Sequence, residues 1–427
     1  VTSQASHDHQ LKAGVEYQLS KVEFGTPGHL VQTNINGVQT LAPRVNDPPD
    51  YPDPKTYHPL ALSAFGQDQI EWNDLTLRAG VRMDYFNARA TLPSDLANPA
   101  NAIAGAPHSV PRAATAKTSV SPRLGVSYPI STSAALFFSY GHFYQFPGLG
   151  TIFGNSDYTI LKDLQAGIVR YGVMGNPDIK PERTIQYEFG YKQAVNDLIG
   201  VNFSIFYKDI RDLLGVEFVS TYTAAEYARL TNVDFGNVYG FTLSLDQRRI
   251  GNVTTSVDYT WQQAQGNSSD PRETATRAEA GEDPRPRQVP LNWDQRHTLN
   301  VTVQYGIPDN FSVSTVVRFG SGQPYTPSTA SGGFGAQLEP NSAQKSSFVL
   351  VDLRGEKSFR FGGLALSLFA RVFNLFDSRF SNGFVFSDTG SPDYSLNPVG
   401  DRSKLADPLR YYQPRRVEIG VSINNGL

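Results

Sequence analysis

The chain has no cysteine and only two methionines. That removes disulfides, thiolate metal sites and thiol nucleophiles together. Long apolar runs are missing too: mean hydropathy is -0.34, and no stretch approaches the roughly 20 consecutive apolar residues of a spanning helix. A helical membrane protein is therefore excluded. A membrane barrel is not, because lumen-facing polar residues dilute every one of its strands. Excess charge of either sign is also lacking, with 37 Lys and Arg against 40 Asp and Glu and a formal net charge of -3. No basic field or Lys/Arg run offers itself to nucleic acid, so nucleic acid is not expected as a partner. Residues 1–10 lack the charged and apolar regions of an export signal, which is expected to lie upstream of Val1 or to have been removed.

The usual catalytic signatures are absent as well. The sequence holds no Gly-x-Ser-x-Gly elbow, no phosphate-binding Gly-Lys-Ser/Thr loop and no His-Glu-x-x-His helix. His7, Asp8 and His9 carry metal-binding side chains but read as a solvated tail without a supporting shell. Asp270, Glu273, Glu279, Glu282 and Asp283 alternate with Arg272, Arg277, Arg285 and Arg287. They read as a mixed-charge loop before a binding surface, and as an acid/base pair last. No covalent chemistry and no cofactor is expected.

What is present is a period of two. In Ile185, Tyr187, Phe189 and Tyr191 large apolar side chains alternate with Gln186, Glu188 and Gly190, a pattern of a strand and not a helix. After a turn at Asn196-Asp197 it resumes in Val201, Phe203, Ile205 and Tyr207 against Asn202, Ser204 and Lys208, which makes a hairpin with one apolar and one polar face. The same rhythm predicts strands near 11–24, 58–69 and 74–87, around Leu124 to Tyr128, and through LFFSYGHFYQF. It continues near Tyr239, Val257, Val301, Val313, Val351, Leu368 and Ile419, for about fourteen strands in all.

Two regularities bear on the solvent of the apolar face. Short turns alternate with connections of roughly twenty to forty residues, whereas loops of compact soluble domains rarely exceed about 15. Transmembrane barrels sort their connections in this way, with short turns on the periplasmic side. The second regularity is that charges stay off the apolar face. Aromatics such as Tyr85, Tyr128, Tyr191, Tyr207, Trp261, Tyr305 and Phe319 gather at strand ends, as in interfacial girdles. Cross-strand aromatic pairing in a soluble sheet is the alternative. The segment from the first strand to about Tyr57 reads as too irregular for a packed core, and residues 211 to about 232 read as a loop. Tyr51, Tyr57, Tyr144, Tyr158, Tyr222, Tyr227 and Tyr325 are candidates for stiff contacts to a solute.

Several segments carry a family resemblance. NPDIKPERTIQYEFGYK resembles the NPxLKPExxxxYExG stretch of TonB-dependent outer-membrane receptors. WDQRHTLNVTVQYGI, VVRFGSGQPYTP, FVLVDLRGEKSFRF, LSLFARVFNLFD and YYQPRRVEIGVSI resemble closing strands of that family, especially members with a carboxypeptidase-regulatory-like N-terminal domain. The resemblance covers most of residues 58–423. It places Asn176, Pro177, Lys180, Pro181 and Glu182 where a long loop meets a strand, and Asn374, Leu375 and Phe376 at a strand end. Their roles read as structural: Pro177 and Pro181 fix φ, and Lys180 with Glu182 is a possible rim ion pair.

The resemblance implies an all-β fold, an antiparallel transmembrane β-barrel of about twenty-two strands closed by an N-terminal plug. Residues 1–427 would be its C-terminal part, without the plug and the early strands. It further implies the cell outer membrane of a Gram-negative bacterium, outer-membrane lipid around the barrel, and active import of a scarce solute of unknown identity. The TonB energising complex would act through the missing plug. Arg82, Lys208, Asp246, Arg318, Asp352 and Arg371 would face the lumen or the plug. The final Asn424-Asn425-Gly426-Leu427 departs from the aromatic end usual in this class. Two other readings stand beside import: a passive channel of about fourteen strands, and a soluble all-β carbohydrate-binding or adhesive module.

Overall fold

Alternation along the chain becomes one meandering sheet. The computed structural model describes all residues except 25–28, 36, 45–54, 164–172, 268–287, 309, 329–339, 362–363, 397–406 and 426–427. Among the described residues the long strands are β1 (His9–Leu19), β2 (Leu60–Trp72), β3 (Leu75–Asn87), β4 (Lys117–Ser131), β5 (Ala134–Gln145), β6 (Glu182–Asn196) and β7 (Ile199–Ser220). They continue as β8 (Glu226–Ile250), β9 (Val253–Gly266), β10 (His297–Ile307), β11 (Phe311–Gly320), β12 (Phe348–Phe361), β13 (Leu364–Phe373) and β14 (Arg416–Asn425). Each pairs antiparallel with the next in chain order, from β1–β2 to β13–β14. Thr2–Gln4 adds a short stretch to the free edge of β1. No pairing between β1 and β14 occurs among the described residues.

Hairpin turns tie alternate strands at one end. Asn73-Asp74 joins β2 to β3 with Asn73 at φ 51°, and Gly251-Asn252 joins β8 to β9 with Gly251 at φ 61°. Both are left-handed positions that Asn and Gly tolerate. The opposite end carries the long connections, as the sequence predicts, with one exception. Residues 211–232 are not a loop: β7 and β8 run on, pairing up to Ser220 and Glu226 around a turn at residues 221–225. Leu214 and Val216 here are spaced by two, as in a strand, but a bulge at Ile210/Leu213 with Asp212 at φ 58° interrupts the register and hides the pattern.

Register sorts the faces. Ile185, Tyr187 and Phe189 of β6 lie level with Asp209, Tyr207 and Ile205 of β7. The apolar face meets the surroundings: Val15 is 84% exposed and Ile419 81%. The sheet therefore does not enclose its Val/Leu/Tyr side chains in a dry core, which disposes of the soluble-sandwich packing. On the opposite face phenylalanines lie over glycines directly across the ladder, as Phe65 does over Gly14, Phe137 over Gly190 and Phe369 over Gly420. A Cβ at Gly190 would run into the Phe137 ring, so the flat ring keeps its seat only where the partner has no side chain.

The main apolar core lies among the long connections, not within the sheet. Leu41, Leu92, Ile152, Phe153, Met174, Ile179 and Tyr227 are buried together there, with Val22, Phe24 and Tyr57 packed against them. This corrects the expectation that the segment before Tyr57 is too irregular to pack. His29–Ile35 pairs with Val38–Arg44, and Val22–Phe24 pairs with Lys55–Tyr57. Scattered apolar residues in a Pro-rich stretch show no period, yet each buried one contributes about 1.5–3 kcal/mol. Neighbouring loops supply the surface they pack against.

Candidate functional site

The polar face of the sheet is a wall of paired charges. On β3 Arg82 donates from Nε to Asp84 Oδ1 at 2.9 Å, and its guanidinium stands 3.8 Å from Glu16 of β1. Arg318 of β11 meets Asp352 of β12 at 2.7 Å. Arg371 of β13 is 4.0 Å from Glu418 of β14, which also pairs with Arg416 at 3.2 Å. Arg354 sits directly across from Arg371, and both guanidiniums lie over the Phe369 ring, at 5.7 and 5.0 Å. Like charges face to face are unfavourable; the shared ring and the carboxylates Glu356 and Glu418 offset that repulsion.

Lys208 and Asp246 lie apart from these pairs. Lys208 stands over the Phe206 ring at 5.6 Å, and Asp246 accepts a hydrogen bond from Ser256 Oγ at 2.9 Å. All six charged residues singled out in the sequence thus occupy the polar face. Only Arg318 and Asp352 touch each other.

The strand-end motif completes that pair. Asn374 is 1% exposed with φ 52°, and its N–H donates to Asp352 Oδ1 at 2.9 Å. Its Nδ2 donates to Ser378 O and Gln413 O, which fastens both ends of the last long connection. Leu375 N–H donates to Val351 O at 2.7 Å, whereas Phe376 is 70% exposed. The three residues form a corner, with Asn374 as its polar hub.

The other motif is a latch among loops. Asn176 is buried, donates from Nδ2 to Leu230 O at 2.9 Å and accepts from Asp178 N–H at Oδ1. Lys180 uses its backbone: its N–H donates to Asn232 Oδ1 and its carbonyl accepts from Asn232 Nδ2. Pro177 and Pro181 are buried. No Lys180–Glu182 ion pair forms among the described residues; Lys180 is exposed while Glu182 is half-buried.

Asp178, which the sequence reading passed over, is the centre of the latch. It takes Lys117 Nζ at 2.6 Å, Arg112 at 2.9 Å and the Thr115 N–H at 2.9 Å. Burial pushes its carboxyl upward, but the hydrogen bonds from Lys117, Arg112 and Thr115 outweigh it and hold the group down at about 2. The available signal was the carboxylate itself, set in a rigid Asn-Pro-Asp turn.

The extended β7–β8 hairpin is tied down at its tip. Tyr222 donates to Asp95 Oδ2 at 3.0 Å, and Tyr227, fully buried, donates to Leu96 O at 2.9 Å. Arg229 pairs with Glu217 across the hairpin. Burial pushes the Tyr158 and Tyr227 phenols upward. These two tyrosines are core residues and not solute contacts, contrary to expectation; Tyr222 is 54% exposed. Tyr57 stacks on Phe153 at 4.2 Å. A cleft of about 480 Å³ opens beside this stack, edged by Lys55, Arg89, Asn101, Ser109 and Asp157.

His9 is not in a tail. It lies on β1 and meets Asp68 at 2.7 Å, while His7 pairs with Asp8 at the exposed turn. Among the described residues no three metal-binding side chains gather. Tyr51 and the Asp270–Arg287 charge mixture fall outside the described residues, as do Gly426 and Leu427.

A family profile described as TonB dependent receptor-like, beta-barrel matches residues 2–375. No curated protein sequence matches the chain. Among solved structures, the outer membrane transporter YddB from Escherichia coli superposes with a TM-score of 0.60 at 14% identity, covering 99% of this chain and 52% of that one. The ferric enterobactin receptor PfeA from Pseudomonas aeruginosa, in complex with enterobactin, gives 0.60 at 18% identity, again with 99% and 52% covered. The copper transporter OprC gives 0.57 at 16%, covering 97% and 54%. The chain spans about half the length of these structures.

Proposed function

The chain belongs to the TonB-dependent receptor β-barrel family of the Gram-negative outer membrane, and on that premise we propose that it is the C-terminal part of an active importer. The fourteen long strands among the described residues would belong to a larger barrel of about twenty-two. A plug domain closes that barrel and couples it to the TonB energising complex. A scarce solute meets the loop cap first and passes along the charged wall once the plug is displaced. No covalent chemistry is required of any residue.

One observation carries the reading: the sheet turns hydrocarbon-compatible side chains outward while Arg82–Asp84, Arg318–Asp352 and Arg371–Glu418 line the other face. Fixed charges of both signs suit a hydrated path and a polar plug surface. The family's solved members include a copper transporter and a receptor holding enterobactin, so metal ions and metal chelates are the first solutes to try. The test is accumulation of labelled copper or ferric chelates by cells expressing the full-length protein, with and without a protonophore. Energised import stops when the proton gradient collapses. Accumulation that continues undiminished would instead identify a passive channel.

A further inference from the structure

On the outward face, at the long-connection end of β5 to β8, the ladder sets residues in level rows. Tyr140, Tyr187, Tyr207 and Tyr239 stand side by side across four strands. Four residues further along the same strands, Tyr144, Arg183 and Arg211 form a second row, with Arg183 and Arg211 directly opposed. Both rows share the outward parity of Phe189, 47% exposed, and Ile205, 49% exposed.

Two guanidiniums on neighbouring strands repel unless anions sit between them. One carboxylate is present: Asp209 takes Arg211 Nε at 2.9 Å, and the Arg211 guanidinium lies over the Phe235 ring at 5.6 Å. Among the described residues Arg183 has no such partner. Its Nε is buried without a hydrogen-bond acceptor among the described residues. Among the described residues the patch therefore carries two cations against one anion, and an orphaned donor next to a cation that is already oriented.

Depth identifies what fills it. Four residues rise about 13 Å along a strand, or about 10 Å in height at a barrel tilt near 40°. Tyrosine rows mark the boundary of the hydrocarbon, so the arginine row lies at the level of lipid headgroups. We propose that Arg183 and Arg211 form a binding site for the phosphate of a phosphorylated outer-leaflet lipid. Planar guanidinium forks match phosphate oxygens in pairs. Asp209 competes with the phosphate for Arg211, and Tyr144 flanks the site.

The test uses the full-length protein in neutral-lipid nanodiscs and measures uptake of diphosphoryl lipid A. Parallel arms use the same lipid without phosphates and inorganic phosphate in solution. The wild type should retain the diphosphoryl lipid, and Arg183→Gln/Arg211→Gln should bind it at least about tenfold more weakly, since it loses the charge-assisted hydrogen bonds to the phosphate. Asp209→Asn removes the competing carboxylate and should tighten binding, a gain that misfolding cannot imitate. Equal binding by the double variant, equal binding of the dephosphorylated lipid, competition by millimolar inorganic phosphate, or unchanged affinity in Asp209→Asn would each overturn the site.

Discussion

The Asp178 carboxylate lies 2.6 Å from Lys117 Nζ, across sixty-one residues of chain that include two strands and a long loop. Arg112 and the Thr115 N–H complete the same cradle. One acidic side chain thus joins the connection before β4 to the connection before β6.

The sign of its pH dependence follows from its pKa near 2. An ordinary Asp titrates near 3.9. The carboxylate is favoured in the folded cap, so its contribution is complete above about pH 4 and is lost as pH falls toward 2. Protease cutting of the loops, measured from pH 7 to pH 2 in detergent, should rise steeply below pH 4 in the wild type. In Asp178→Asn it should already be raised at pH 7 and nearly flat with pH. A variant that keeps the wild-type profile would assign the acid response to other groups.

Asn374 combines a left-handed backbone, φ 52°, with hydrogen bonds from both its main chain and its amide. Asn374→Ala loses the amide bonds and strains the backbone, for an expected loss of about 2–3 kcal/mol. Asn374→Gly removes only the strain and should recover part of that loss. Heat-modifiable gel mobility in the two variants reads the difference; identical melting would mean that the backbone conformation costs nothing here.

Gly190 gives the Phe137 ring its seat, whereas nothing lies within 4 Å of a Cβ built on Gly200 in the next strand. Gly190→Val should lower the unfolding temperature of the refolded barrel clearly, by displacing the ring at a cost of about 1–3 kcal/mol. Gly200→Ala should leave it nearly unchanged. Equal behaviour of the pair would argue against the ring-over-glycine contact.

Phe189 and Glu188 are adjacent in sequence and face opposite ways. Phe189→Arg puts a charge among lipid chains and should cost about 2–4 kcal/mol at mid-depth. Glu188→Arg, on the polar face, should cost far less. Urea titration of folding into vesicles compares them, and a tolerated Phe189→Arg would contradict the outward assignment of the apolar face.

The hairpin tip offers a local probe. Tyr227→Phe deletes only the bond to Leu96 O and should destabilise the cap by about 1 kcal/mol. Tyr227→Ala empties a fully buried site and should cost about 3–5 kcal/mol. Hydrogen exchange of residues 214–230 should quicken modestly in the first and strongly in the second.

Sequence alone determined the sheet. A period of two is local: Tyr187 and Phe189 share a face whatever lies far away, and Arg82 or Asp352 must then occupy the other. Turn chemistry at Asn73 and Gly251 is equally local. The strands, their apolar and polar faces and the sorting of connections were legible for that reason.

The cap was decided by tertiary structure. Leu41, Ile152 and Met174 come from separate connections and Tyr227 from the extended end of β8, so they have no common period and are buried only where these segments meet. The continuation of β7 and β8 past residue 210 was hidden by a bulge. Asp178 became a hub only when distant segments were brought together, and the exact register of the β6–β7 hairpin set Arg183 opposite Arg211. Hydrogen bonds and charge pairs act over a few ångströms of space, and in this chain those ångströms are set by the register between strands far apart in sequence.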